Sequence, residues 1–378
     1  MKKFNIFYFL MFFAWASVTT LASVYMNEVV GLSLSNIGLM MSVLPLISVF
    51  FQPIWGGVAD VTGKRRGVLQ GLMLAAALVT FAITMFTKSY IVVGFYFMYQ
   101  VFLCGQGPLT DSIAIQIAED TPKASFGFIR IWGSIGYAVG AIIVAFIANQ
   151  MGLRWSFYTA SLAFFIGFVL TRGIKETRIV TAKSHFKADL KTLLKEKKYL
   201  FILIYSFLLV GGVFSSDQYL GLFIRSVDID VSMIGVLTFI SVCFEVPFMF
   251  YSKRLIEKLN PYKLLLLMNI IAVARMFILS ISSSIPFFLL AGILRGIIVG
   301  IFIPLFIELI CEITPKAVVT SAVAIYTAVS SGIANFIFTL TGGILAEQLG
   351  YQTLYLSYGL MMLIPLVMAA FMMRTAKE

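Results

Sequence analysis

The chain has 378 residues, 60% of them hydrophobic and only 12% charged, with a formal net charge of +11 and a mean hydropathy of +0.99. A soluble globular domain is about 45–50% apolar and about 25% charged, so an ordinary soluble enzyme and an intrinsically disordered chain are both excluded. At about 20 apolar residues per crossing, the length has room for roughly a dozen membrane helices and almost no extramembrane domain.

Polar punctuation divides the apolar sequence into twelve predicted helices, over 4–27, 36–58, 67–87, 90–118, 126–149, 153–172, 199–224, 231–252, 263–282, 285–311, 317–346 and 351–373. The longer ones must tilt or overhang the bilayer. Met1, Lys2 and Lys3 followed by apolar sequence imitate a signal peptide. The run continues from Phe4 to Tyr25, too long for such a segment, and reads as a retained first helix. The charged stretch from Gly173 to Lys198 is the natural linker, which predicts domains at 1–172 and 199–378 joined by a cytoplasmic 173–198.

Basic residues set the orientation, because cytoplasmic loops are enriched in Lys and Arg. The two ends and the even-numbered loops hold Lys2, Lys3, Lys64, Arg65, Arg66, Lys123, nine residues from Arg172 to Lys198, Lys253, Arg254, Lys258, Lys263, Lys316, Arg374 and Lys377. The odd-numbered loops hold only Lys88, Arg154 and Arg225. Both termini are therefore expected on the cytoplasmic side of the cell membrane. The positive charge is a topology signal, not a nucleic-acid footprint; the nine linker residues read as a solvated anchor, with anionic-lipid contact as the alternative. The partners expected are the bilayer and a small-molecule substrate, with the chain a monomer.

The two halves repeat. Leu34-Ser35-Asn36-Ile37-Gly38 is echoed by Val231-Ser232-Met233-Ile234-Gly235, an offset of 197. Glu119-Asp120-Thr121-Pro122-Lys123-Ala124 is echoed by Glu312-Ile313-Thr314-Pro315-Lys316-Ala317 at 193, and Ala148-Asn149-Gln150-Met151-Gly152 by Ala346-Glu347-Gln348-Leu349-Gly350 at 198. Six helices per half give both halves the same orientation, a parallel repeat. The lone His185 and the scattered Cys104, Cys243 and Cys311 form no metal-ligand spacing, and no phosphate-binding loop is present, so no cofactor is expected.

Gly57-Val58-Ala59-Asp60-Val61-Thr62-Gly63-Lys64-Arg65-Arg66, between the second and third helices, is similar to the G-x-x-x-D-x-x-G-[RK]-[RK] signature of the major facilitator superfamily, with Gly56 or Gly57 as first glycine. With the six-plus-six pattern, the resemblance implies that family's all-α membrane fold of two parallel six-helix repeats. It also implies alternating access, with the solute bound between the halves. Gly57, Asp60, Gly63 and Arg65 would then form a cytoplasmic gate; the plainer reading is a basic turn that serves topology. Physically, Gly lets helices approach, Asp pairs with Arg, and the second Gly permits a tight turn.

Phe126-Gly127-Phe128-Ile129-Arg130-Ile131-Trp132-Gly133-Ser134-Ile135-Gly136-Tyr137 resembles the fifth helix of the lactose-permease-like branch, which covers oligosaccharide, nucleoside and phenylpropionate permeases. Asp217-Gln218 with Phe223, Glu245-Val246-Pro247 and Arg275 resemble the same branch. That likeness implies that Arg130 and Tyr137, with the carboxylate Asp111, bind substrate. The alternative is a structural salt bridge with a core tyrosine. The Gly133-Ser134 pair stands where drug–proton antiporters carry Gly-Pro.

A charge inside the membrane is costly unless paired or wet, and marks function by default. Asp111, Asp217 and Glu245 balance Arg130, Arg275 and Arg295 there, with Glu308 as a further acid. A buried carboxylate reset by an approaching arginine makes Glu245 with Arg275 the expected coupling pair, and Asp217 with Arg295 resembles the family's ion pair between the seventh and tenth helices, more structural than catalytic. Phe302 stands near where the family would carry a proton-bearing glutamate, and the tenth helix has no histidine. A proton is the expected coupling ion, with Na⁺ coupling and facilitated diffusion open. The function expected is secondary transport, by proton symport of a sugar, oligosaccharide or nucleoside. Export of drugs by proton antiport, or transport of an aromatic acid, is the alternative. An enzyme would need a catalytic constellation that the sequence lacks.

Overall fold

The computed structural model describes residues 2–120, 126–174, 193, 196–314 and 318–375. Most of the expected linker, with His185, and the loop residues Lys123, Lys316 and Lys377 lie outside the described residues. Within them the regular elements are all helical: α1 Lys2–Thr19, α2 Ala22–Glu28, α3 Leu34–Thr62, α4 Arg65–Met85, α5 Ser89–Asp120, α6 Phe126–Met151, α7 Arg154–Thr171, α8 Lys197–Ser226, α9 Val231–Lys258, α10 Pro261–Ile281, α11 Ile285–Ile313, α12 Val319–Thr327, α13 Ala334–Met361 and α14 Leu363–Thr375. A π-helical turn, Ala328–Ile333, joins α12 to α13.

Ten helical stretches among the described residues are long and apolar enough to cross a membrane. One of them, Ser321–Phe371, runs for 51 residues and is interrupted at Gly350, whose φ of 83° and ψ of 166° no helix contains. That glycine falls between the last two predicted segments. The 18-residue α7 coincides with the sixth.

Local chemistry sets the ends. Pro261 opens α10 at a position where its missing N–H costs nothing, and Asn260 Oδ1 accepts the free N–H of Tyr262 at 2.9 Å. Pro108, Pro247 and Pro304 lie inside α5, α9 and α11, as transmembrane helices tolerate. Large apolar side chains such as Phe50, Phe250 and Val367 are exposed, as a lipid-facing surface requires.

The chain forms two compact units, one drawn from Met1–Ser33, Leu46–Ala182 and Ile224–Phe239, the other from Leu34–Pro45, Lys183–Phe223 and Ile240–Glu378. In the first, α1 packs on α6 and α7, and α4 on α5 and α7. In the second, α10 packs on α11, α13 and α14. The third helix of each half thus meets the fourth and the sixth, and the repeat seen in the sequence is a repeat of internal packing.

Short segments group differently from the sequence boundaries at 172 and 199, and small residues are the reason. In the second unit Gly38 of α3 lies against Tyr219, Thr339 and Gly343, where a Cβ would come within 2.9 Å of the Gly343 Cα. In the first, Gly235 lies against Ala141 and Ala145 of α6, and Arg225 Nε reaches Glu28 Oε1 at 2.6 Å.

Candidate functional site

In the first unit, the polar groups converge on one face of α1. Gly133, Gly136 and Gly140 of α6 lie against Tyr8, Phe9 and Phe13, and a Cβ on Gly140 would sit 2.8 Å from the Phe13 carbonyl oxygen. This close approach carries Arg130 and Tyr137, seven residues apart and therefore on one side of α6, to the edge of α1. Arg130 Nη1 donates to the Tyr8 hydroxyl at 3.0 Å, and that hydroxyl donates to Asp111 Oδ1. Arg130 and Asp111 themselves are 3.7 Å apart, with side chains 47% and 35% exposed. Tyr8 is thus the bridge, and the sequence reading missed it.

Aromatic rings back this polar group. The Arg130 guanidinium stands 5.1 Å over the Phe12 ring, which stacks on Tyr8 and tilts against Trp15. Trp15 Nε1 donates to Gln106 Oε1 at 3.0 Å, and Tyr137 pairs its hydroxyl with Thr19 at 3.1 Å. Tyr8, Phe12, Trp15 and Thr19 follow at spacings of three and four, the one signal in the sequence of a working face on α1.

In the second unit, four charged side chains form one network. Asp217 Oδ1 meets Arg275 Nη2 at 2.5 Å and Asp217 Oδ2 meets Arg295 Nε at 2.7 Å. Arg295 Nη1 reaches Glu245 Oε2 at 3.4 Å and donates to Ser241 Oγ at 2.9 Å. Arg275 is fully buried and donates also to Ser216 Oγ and the Ala291 carbonyl, both at 3.1 Å. Two acids and two bases balance inside the unit.

The expected pairing of Glu245 with Arg275 is therefore corrected: Glu245 lies on Arg295, and Arg275 is committed to Asp217. The expected Asp217–Arg295 contact is present, as half of a bidentate arrangement in which Asp217 clamps both guanidiniums. The physical reason lies in α11. A Cβ on Gly296 would sit 2.9 Å from Phe244 Cβ, and one on Gly300 would sit 3.0 Å from Phe248 Cβ. That close contact with α9 brings Arg295 to Ser241 and Glu245.

Glu308 is exposed and lines a groove with Lys253 and Glu257, apart from the network's residues. Phe302 is buried and packs edge-on against Phe214 and Phe306.

Across the turn from α3 to α4, Arg65 Nη2 meets Asp60 Oδ1 at 2.7 Å and Arg65 Nη1 donates to Ser112 Oγ at 2.7 Å, so the pair ties α3 and α4 to α5. Gly63 turns the chain with a φ of 62°, the left-handed geometry its missing Cβ permits. The close helix approach expected at Gly57 is absent in this structure: a Cβ there, or on Gly56, would meet nothing within 4 Å.

Residues 1–357 match the model of the MFS_1 like family. The chain is 30% identical over 364 residues to the maltose permease of Geobacillus stearothermophilus, covering 94% of this chain and 90% of that protein. It is 22% identical over 391 residues to the sucrose permease of Escherichia coli, covering 98% and 92%. Among solved structures, the nucleoside transporter NupG superposes with a TM-score of 0.85 at 18% identity over 98% of both chains, a likeness of fold.

Proposed function

This chain belongs to the MFS_1 like family of the major facilitator superfamily, a multi-pass membrane transporter and not an enzyme, and we propose that it imports a neutral sugar or oligosaccharide by proton symport. The sugar class is favoured by the maltose and sucrose permease relatives. It also suits the face built by Arg130, Tyr8 and Asp111 beside Phe12. A guanidinium fork and a carboxylate hold paired hydroxyls, and a ring covers the apolar side of a pyranose. Tyr137 extends that face.

The observation that carries the coupling is the graded hold on the two acids of the second unit. Asp217 is clamped by two guanidiniums at 2.5 and 2.7 Å, whereas Arg295 stands 3.4 Å from Glu245. A proton arriving at Glu245 leaves Arg295 to Asp217 and Ser241, with the tight clamp intact. Glu245 is then the carrier, Arg295 the residue that resets it, and Arg275 with Asp217 the fixed frame. The loop of Gly57, Asp60, Gly63 and Arg65 serves as a cytoplasmic gate.

We infer twelve crossings in two repeats, 1–172 and 199–378, joined by 173–198, with both termini cytoplasmic and the monomer as the working unit in the cell membrane. Counterflow in proteoliposomes tests the substrate class. Labelled maltose, sucrose and uridine are offered to vesicles preloaded with the same solute, and exchange of a sugar is expected. Exchange of uridine alone, or of none of the three, contradicts the proposal.

A further inference from the structure

One polar contact lies beside the ion network and contains none of its charged residues. Asn335 of α13 receives on its Oδ1 the Ser215 hydroxyl at 3.0 Å and the Thr339 hydroxyl at 2.8 Å. Those two hydroxyls are 3.1 Å apart. In this arrangement the amide oxygen faces both hydroxyls and the two N–H donors point away from the contact. No described residue takes either of them. Nor is the amide nitrogen among the buried polar atoms that lack a partner, and Asn335 is only half-buried. An amide held in this way, with its N–H donors outside the contact, has the chemistry to read a hydroxyl or carbonyl oxygen on a ligand.

Two further observations mark the place. The π-helical turn Ala328–Ile333 ends one residue before α13 begins and two before Asn335. An inserted π turn shifts the face that the following helix presents, and such turns concentrate at functional sites. Here Asn335 and Thr339, four residues apart, share one face that meets α8 at Ser215. Ser215 is followed by Ser216, which accepts from Arg275, and by Asp217, which clamps Arg275 and Arg295. Three consecutive residues of α8 therefore join the amide to the ion network.

We propose that Asn335, in contact with Ser215 and Thr339, is a specificity-determining residue that donates a hydrogen bond to one hydroxyl of the transported sugar. The assignment rests on the sugar reading above and concerns a residue of the second unit taken by itself. A site built to hydrogen-bond a substrate hydroxyl rejects an analogue that lacks it, because the protein donor is then left unpaired.

The test is counterflow of labelled maltose in proteoliposomes, competed by maltose and by its monodeoxy analogues. In the wild type, one analogue is expected to compete about tenfold less well than maltose through this bond. In Asn335→Ala, maltose itself should weaken by a similar factor and that analogue should no longer differ from it. Asn335→Asp keeps the acceptor for Ser215 and Thr339 while removing both donors. It should lose the same discrimination, whereas a merely structural role predicts that it is retained. Wild-type counterflow with undiminished discrimination in both variants overturns the assignment alone. Absence of maltose counterflow in the wild type overturns the sugar reading and the assignment with it.

Discussion

Arg130 and Arg275 are both intramembrane arginines facing an aspartate, yet their surroundings assign them different work. Arg130 shares the Tyr8 hydroxyl with Asp111, is 47% exposed and lies over a phenyl ring, so a ligand can reach its fork. Replacing it with Lys keeps the charge and loses the paired donors. Arg130→Lys is expected to raise the half-saturation for sugar exchange on the order of tenfold while the protein's thermal stability in detergent stays unchanged; an unaltered half-saturation with lowered stability would make Arg130 structural. Arg275 is fully buried on Asp217. Asp217→Asn strands that charge and should cost about 3–5 kcal/mol of stability, read as a lowered unfolding temperature and poor recovery from the membrane. Recovery at wild-type levels would contradict the frame role.

The charged residues themselves were legible in the sequence, because a charge in an apolar run stands out against its background. Their partners were only half legible. Depth along a helix follows from residue number, but which acid an arginine meets depends on helix rotation and separation. Those were set here by Gly296 and Gly300 on α11, glycines that carry no charge pattern to follow. Tyr8 escaped notice because one hydroxyl among the phenylalanines of the first helix looks like a core residue.

At the scale of helices, small residues decide which elements touch. The Gly133, Gly136 and Gly140 series is the surface on which α1 rests, as small-residue faces do in membrane proteins. Gly136 faces the Phe9 backbone directly, where no side chain can swing aside. Gly136→Leu is expected to cost at least about 1–3 kcal/mol through overpacking and to separate Arg130 from Tyr8, so stability and sugar affinity should fall together. Wild-type stability in that variant would show that α1 and α6 are not held by this contact. Helix extents were readable to within a few residues because apolar runs end at charges, glycines and prolines. The π turn at Ala328–Ile333 was not, since Ala-Val-Ser-Ser-Gly-Ile also suits an ordinary helix. The loop glycine Gly63 was correctly read as a turn, while Gly57 makes no close contact in this conformation.

For the molecule as a whole, the low charged fraction and the +11 balance describe one design. Most basic residues fall outside the predicted helices, and the few charges inside the membrane-spanning segments that pair with one another cancel within each unit. Asp111 with Arg130 serves one unit; Asp217 and Glu245 with Arg275 and Arg295 serve the other. On the proposed symport, such cancellation makes one proton consequential, because protonating Glu245 unbalances its unit. The central measurement is sugar accumulation driven by an imposed pH gradient. Proteoliposomes with an acidic exterior should concentrate labelled maltose above the external level. Glu245→Gln should abolish that accumulation while leaving maltose counterflow in place. Accumulation that persists in Glu245→Gln, a wild type indifferent to the gradient, or a gradient that instead drives a dye outward would contradict proton symport through Glu245.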